Sequence, residues 1–172
     1  MTRLLLFTAL AVAAVSAAPA ADSGCDGFQW NVTRERSLFA MPPKSLRSAP
    51  DPAAAPPLSA GVLYELAVAP QDGLRLLAAP GKHASLAGAR GGFALLQVPS
   101  PGLWRIALSE AGWIDVIAGG QTLAARDFQG QHDCVAPRKV VEFELPAGTA
   151  VLQLTGVRSE AVRITLTAAP SD

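Results

Sequence analysis

Few side chains of this 172-residue chain have the type and spacing that metal chemistry requires. Histidine occurs only as His83 and His132, and both lie in turn-rich segments. An iron site built from two histidines and one carboxylate would need both of them to converge. No H-x-H or H-x-x-x-H spacing supports that arrangement. The sequence therefore predicts no metal site and no cofactor.

The sequence also gives little support for covalent or acid–base catalysis. The chain has no G-x-S-x-G motif around a nucleophilic serine. Its glycine-rich stretch at 88–92 lacks the Lys-Ser/Thr pair of a phosphate-binding loop. Glycosidases need two carboxylates that flank a cleft, and we consider only Asp115 with Glu142 or Glu144 for that role. These observations favour a protein without catalytic activity. The alternative is a small cupin-like metal-dependent dioxygenase or a hydrolase.

Trp113 and Asp115 suit a binding role better. They are two residues apart on a predicted strand, so their side chains share one face. On an exposed face the pair could stack on a sugar ring and hydrogen-bond to it. On a core face Trp113 would be packing, and Asp115 would need a partner such as Arg138, Lys139 or a backbone amide near Cys134.

The polar segment 128–138, FQGQHDCVAPR, is the second candidate for a site. It supplies Gln129, His132 and Arg138 as ligand-binding candidates beside Trp113 and Asp115. The same segment could instead be a disulfide-tethered crossover between strands.

The elements that must position these side chains follow an export signal. Arg3, an apolar run over residues 4–15 and the sequence Ala18-Pro19-Ala20 occur in the order of a signal peptide. We therefore expect residues 1–20 to be removed and the mature protein to lie in the periplasm or outside the cell. No second apolar run is long enough to span a membrane. The balance of 14 basic and 14 acidic residues argues against nucleic acid as a partner.

Export also bears on the two cysteines, Cys25 and Cys134. An even count in an exported chain predicts a disulfide. Closing a loop of this length would stabilise the fold by roughly 4–5 kcal/mol in the chain-entropy treatment. Two free buried thiols or a lipid anchor on Cys25 are the alternatives. The anchor is disfavoured because no apolar residue precedes Cys25 in the lipoprotein pattern.

The mature chain divides into three regions. Residues 21–41 predict a short helical segment tethered by Cys25, and residues 42–57, with six prolines, predict an extended or disordered Pro/Ala-rich linker. Residues 58–172 alternate short apolar runs with Pro/Gly turns. This pattern predicts an all-β domain, an antiparallel, jelly-roll-like β-sandwich of about eight or nine strands. We expect strands near 61–68, 74–77, 93–98, 103–108, 113–117, 121–125, 139–145, 150–155 and 162–167.

Several motifs occur in a recognisable order along the chain. They are C-D-x-F-x-W with R-E shortly after, the Pro/Ala linker, G-W-I-D-V, a loop with H-x-C, R-K-x-x-x-F and a final Thr/Val strand. In this order the chain resembles a group of small exported proteobacterial β-sandwich proteins of unknown function. Members of that group sometimes carry the label homogentisate 1,2-dioxygenase. The residues do not support the label, because that enzyme resembles a much larger cupin with an iron-binding His/Glu set. The second half also resembles β-sandwich domains of secreted peptidases and carbohydrate-active enzymes, through the L-P-A-G-T-x-x-L-x-L form.

These features together predict an exported, non-catalytic β-sandwich protein that binds a ligand. A carbohydrate and an envelope protein are the two partners we consider.

Overall fold

The computed structural model describes residues 23–81, 84, 86–134 and 136–170. The predicted signal peptide lies outside these ranges. The described part of the chain contains one α-helix and twelve strands, so the fold is mostly β. The elements are α1 (Thr33–Phe39), β1 (Lys44–Arg47), β2 (Pro57–Ser59), β3 (Tyr64–Ala67), β4 (Ala69–Pro70), β5 (Arg90–Val98), β6 (Gly102–Leu108), β7 (Trp113–Ala118), β8 (Gln121–Leu123), β9 (Asp127–Gly130), β10 (Lys139–Leu145), β11 (Gly148–Val157) and β12 (Ala161–Ala168).

The strands form two six-stranded sheets. Sheet A has the order β1-β3-β12-β6-β10-β9, and sheet B has the order β2-β5-β11-β7-β8 with β4 beside β5. Most neighbours are antiparallel, but β1 pairs with β3 and β2 pairs with β5 in parallel. The prediction of a purely antiparallel fold with fewer strands is therefore wrong in two respects: both sheets are mixed, and the described strands number twelve.

Alternating apolar side chains of the two sheets meet in one core. Trp104, Ile106 and Leu108 of β6 are buried there, as are Leu152 and Leu154 of β11. Successive side chains of a strand point to opposite faces, so each alternating run supplies one inward row. Burial of one such aliphatic side chain contributes roughly 1.5–3 kcal/mol. The alternation that predicted the strands thus also identifies the faces that meet.

The additional parallel strands come from the region that we expected to be a linker. Lys44–Arg47 adds β1 to the edge of sheet A, and Pro57 begins β2 at the edge of sheet B. Proline is tolerated there because an edge or first-position residue need not donate to the ladder. Asp51 caps a helical turn between them by accepting from the amide of Ala53. That hydrogen bond is the main cause of the lowered pKa of Asp51.

Two further differences concern the loops. Residues 127–130, predicted as loop, form β9 at the other edge of sheet A. Residues 74–77, predicted as a strand, are irregular. They belong to residues 71–81, which we call the covering segment. This segment lies on the outer face of sheet B, where its backbone hydrogen-bonds to the side chain of Gln153.

The N-terminal region, residues 23–41, packs on the outer face of sheet A. Val32 and Phe39 share a second buried cluster with Ala107 and Val140. Helix α1 confirms the expected short helix. Among the described helices, none has the length and apolar character needed to cross a membrane.

Two contacts fix this region in place. The predicted disulfide between Cys25 and Cys134 is present, with 4.8 Å between the Cα atoms. Arg105 of β6 is buried, and its Nε donates to Glu142 Oε1 of β10 at 2.9 Å. Its guanidinium also donates to the carbonyl of Asn31 at 2.8 Å and lies 4.9 Å from the ring centre of Trp30.

Candidate functional site

Trp113 and Asp115 lie on the outer face of sheet B, not in the core between the sheets. In the β7–β11 register Trp113 is opposite Thr155, and Asp115 is opposite Gln153. The residue between Gln153 and Thr155, Leu154, is the one that enters the core. Strand alternation therefore places all four residues on the opposite face. The shared face that we predicted for Trp113 and Asp115 is confirmed.

Asp115 is buried on that face and accepts two hydrogen bonds. Trp113 Nε1 donates to Asp115 Oδ1 at 2.9 Å, and Gln153 Nε2 donates to Asp115 Oδ2 at 3.0 Å. Neither partner is among those expected from the sequence, which were Arg138, Lys139 and the backbone near Cys134, so that expectation is wrong. Gln153 can reach Asp115 because the two residues are directly opposite each other in the β7–β11 register.

The covering segment completes the burial of Asp115. Gln153 Oε1 accepts from the amides of Leu77 and Ala78 at 2.7 and 3.2 Å, and Gln153 Nε2 also donates to the carbonyl of Ala78 at 3.0 Å. Farther along, Gly81 lies against the indole of Trp113, so that a Cβ there would be only 2.6 Å from the ring. Trp113 is thereby held on one side by backbone and at its Nε1 by Asp115.

Beside Trp113 lies a groove of about 710 Å³, which we call the aromatic groove. The turn between β6 and β7, the start of β10 and the end of β11 form most of its walls. The lining residues are Leu86, Ser109, Glu110, Ala111, Gly112, Trp113, Ile114, Ala125, Phe128, Arg138, Lys139, Val141, Gly156 and Arg158.

The walls of the aromatic groove expose large apolar side chains to solvent. Trp113 is 40% exposed and Phe128 65% exposed, and Leu86 is also exposed. Phe128 is opposite Val141, a core residue, so it faces inward from β9. It remains exposed because β9 is the edge strand of sheet A. Exposed aromatic side chains that converge on a concave surface are typical of ligand sites.

Lys139 supplies a cation at the apolar wall. It shares the inward face of β10 with Val141 and Phe143, and its Nζ donates to the carbonyl of Gly112 at 2.7 Å. The same nitrogen lies 5.8 Å from the ring centres of Trp113 and of Phe128. Burial lowers the pKa of Lys139, because it removes water from the charged form.

The other charged groups of the groove are already engaged or exposed. Arg138 donates to the carbonyl of His132 at 2.9 Å and contacts the His132 ring nitrogen Nδ1 at 3.2 Å. Glu110 accepts a hydrogen bond from the hydroxyl of Ser159. Arg158 is exposed. Among the described residues, no salt bridge involves any of the three basic side chains of the groove.

The five residues predicted as ligand-binding candidates are placed unequally. Trp113 and Arg138 line the aromatic groove, and Asp115 lies behind Trp113. Gln129 instead accepts from the backbone amides of residues 29 and 30, so it holds the N-terminal region. His132 is exposed and bound to Arg138.

Sequence reasoning did not select Phe128 or Lys139 as site residues. One signal was available for Lys139: it has the same strand parity as the inward residues Val141, Phe143 and Leu145. A lysine in an inward row must either extend to solvent or reach a polar group at the end of the core. The exposure of Phe128 carried no such signal, since it depends on β9 being an edge strand.

Metal binding has no support in the described part of the chain. No group of three or more His, Cys, Asp or Glu side chains lies within metal-binding reach there. His83, which a two-histidine metal site with His132 would require, lies outside the described residues.

Comparison with known proteins adds no identity to this geometry. The sequence matches no family model, and a search of curated proteins returns no significant match.

Proposed function

We propose that this chain is an exported, non-catalytic protein that binds a small ligand in the aromatic groove. The observation that carries the proposal is the convergence of Trp113, Phe128 and Lys139 on one concave surface. The groove volume of about 710 Å³ lies in the usual range of ligand pockets. Apolar walls with a few placed polar groups are also the usual composition of such pockets.

A concave site favours a small ligand over a flat protein partner. An envelope protein would have to insert a protruding side chain between Trp113 and Phe128 to use the same walls. A neutral sugar would need several free hydrogen-bonding side chains, whereas Ser109 Oγ and one carboxylate oxygen of Glu110 already accept hydrogen bonds within the protein. A ligand with a substantial apolar body therefore fits better than either partner named from the sequence.

Export forms part of the proposal and is supported by the disulfide. Disulfides persist in oxidising compartments such as the periplasm or the extracellular space. The Cys25–Cys134 bond and the signal-like residues 1–20 are thus consistent with one location. The resemblance to small exported proteobacterial proteins agrees with it.

The fold that we propose for the binding scaffold is a jelly-roll β-sandwich. One buried cluster shared by both sheets supports a sandwich. Eight strands form two antiparallel sets in the orders β3-β12-β6-β10 and β5-β11-β7-β8. Nearly every connection between these eight strands passes from one sheet to the other, as in double-sheet jelly rolls. The parallel strands β1 and β2 are then additions at the edges.

A fluorescent apolar probe tests the binding proposal. N-phenyl-1-naphthylamine is uncharged and brightens in apolar surroundings, and we expect it to bind saturably at one site. Phe128→Ala should weaken its binding about 3–10-fold, through the loss of one aromatic contact.

The matched control is Met41→Ala, which removes another exposed apolar side chain far from the groove in sequence and should leave the affinity unchanged. Absence of saturable binding, or equal effects of the two variants, would overturn the proposal. Stoichiometric iron or zinc in the purified protein would instead favour the metal-dependent alternative.

A further inference from the structure

Lys139 is a cation without an acidic partner among the described residues. Its ammonium has three donors, and one of them reaches the carbonyl of Gly112. The rings of Trp113 and Phe128 provide a favourable electrostatic surface but no hydrogen-bond acceptor of ordinary strength. A desolvated ammonium is costly unless an opposite charge compensates it. An anion bound in the groove beside Lys139 would therefore be stabilised.

The charges around Lys139 act in the same direction. Arg138 and Arg158 also line the groove, and Glu110 is its single acidic side chain. The whole chain has a formal net charge of zero, so this excess of positive charge is local. Glu110 is also engaged by Ser159, on the turn that follows β11.

The aromatic rings alone could indicate a site for a cationic ligand, such as a quaternary ammonium. Here the ammonium of Lys139 already lies 5.8 Å from both ring centres. A second cation would be repelled by Lys139, Arg138 and Arg158. The arrangement consequently disfavours a cationic ligand.

We infer that the aromatic groove selects a ligand that joins one carboxylate to an apolar body, with Lys139 as the counter-ion of the carboxylate. This inference rests on the proposed binding function and names its ligand class. The apolar body would lie against Trp113 and Phe128. The carboxylate would accept from the remaining Lys139 donors, with Arg158 and Arg138 adding longer-range attraction.

Two probes with one aromatic frame test the charge preference directly. 1-Anilinonaphthalene-8-sulfonate carries an anionic group, and N-phenyl-1-naphthylamine is the same frame without it. We expect the native protein to bind the anionic probe at least about tenfold more tightly, the usual scale of a hydrogen bond to a charged group. Lys139→Met should abolish this preference, and Lys139→Arg should retain most of it. Lys44→Met is the control for loss of a lysine elsewhere, and it should leave the preference unchanged.

The pH dependence of the native protein provides a test that needs no variant. Lys139 loses its charge at lower pH than an ordinary lysine, because burial lowers its pKa. The preference for the anionic probe should therefore fall as the pH rises toward 10.5. This measurement carries the test if Lys139→Met does not fold.

Displacement by paired competitors identifies the ligand class. We expect 3-phenylpropanoate to displace the bound probe at lower concentration than 3-phenyl-1-propanol. Decanoate against decanol makes the same comparison for an aliphatic body and separates a fatty acid from an aromatic acid.

The probe measurements distinguish a failure of the proposed binding function from a failure of the inferred ligand class. If neither probe binds, the proposed function fails together with the inference. If both probes bind equally, or if the preference survives Lys139→Met, the binding function stands and the inference is wrong.

Discussion

At the scale of single residues, Lys139 lies in an unusual environment for a lysine, half-buried at an apolar wall. It begins a strand whose inward residues are apolar, and its ammonium ends beside the carbonyl of Gly112. The charged form has lost part of its hydration there, which is the cause of its lowered pKa. A lysine with a lowered pKa affects the free energy of unfolding as well as the binding of a ligand.

Lys139 should make the free energy of unfolding depend on pH in the alkaline range. Its pKa is lower in the folded chain than in the unfolded chain, where it is about 10.5. Between the two values the unfolded state holds more protons, so stability rises with pH. Lys139→Met should remove this rise, as measured by urea unfolding at a series of pH values.

Lys44→Met is the control, because it removes a lysine from an exposed strand position. Subtracting the curve of each variant from that of the native protein isolates the lysine concerned. Identical difference curves for the two variants would contradict the assignment to Lys139.

For Asp115, the sequence predicts that the carboxylate needs hydrogen-bond partners but does not identify them. A carboxylate on an apolar strand must find partners if it is buried, and this requirement was correctly anticipated. Its partners were not, because Gln153 is 38 positions away and is opposite Asp115 only through the β7–β11 register. Register depends on the pairing of whole strands, which a single sequence leaves open.

At the scale of elements, the covering segment is the part that the sequence described least well. The short apolar run at 74–77 predicts a strand, yet it pairs in neither sheet. Arg75 of the segment binds Pro50 and Asp51, and the part that follows is held by Gln153, whose amide satisfies three backbone groups of Leu77 and Ala78. Such side-chain anchoring leaves no periodic signal in the sequence, whereas β6, β10 and β12 were all recognisable from their alternation.

Gln153→Leu should release the covering segment. The change leaves backbone groups of Leu77 and Ala78, and one oxygen of Asp115, without their partner, at a cost of roughly 1–3 kcal/mol for each group that stays buried. We expect faster tryptic cleavage after Arg75, because that bond would lie in a mobile segment. Timed digestion followed by mass spectrometry measures the rate.

Gln97→Leu provides the matched control, since Gln97 lies on the neighbouring strand β5 and anchors no other segment through its described hydrogen bonds. The role of Gln153 would be disproved if both variants were cleaved after Arg75 at the same rate.

At the scale of the whole molecule, the two sheets and their outer layers depend on contacts distant in sequence. The N-terminal region covers the outside of sheet A, and the covering segment covers part of the outside of sheet B. The aromatic groove lies between the β6–β7 turn and the start of β10, and its lining includes no residue of either layer. Composition and alternation predicted the β-rich fold. The groove depends on which strand lies at the edge of a sheet and on which surfaces the outer layers cover, and both are determined only by the folded structure.

The disulfide joins the N-terminal layer to the segment between β9 and β10, so its removal should affect global stability. Cys25 and Cys134 are 109 positions apart, and such a loop corresponds to roughly 4–5 kcal/mol in the chain-entropy treatment. Replacing both cysteines by serine should lower the free energy of unfolding by about that amount. Urea denaturation followed by circular dichroism measures the change.

We expect the double variant still to unfold in one transition. The N-terminal region remains attached through the hydrogen bond from Arg105 to the carbonyl of Asn31, the contact of Arg105 with Trp30 and the burial of Val32 and Phe39. These contacts link α1 to sheet A without the covalent bond. An early separate transition that exposes Trp30, detected by its fluorescence, would show that the disulfide alone holds the N-terminal layer on the sheet.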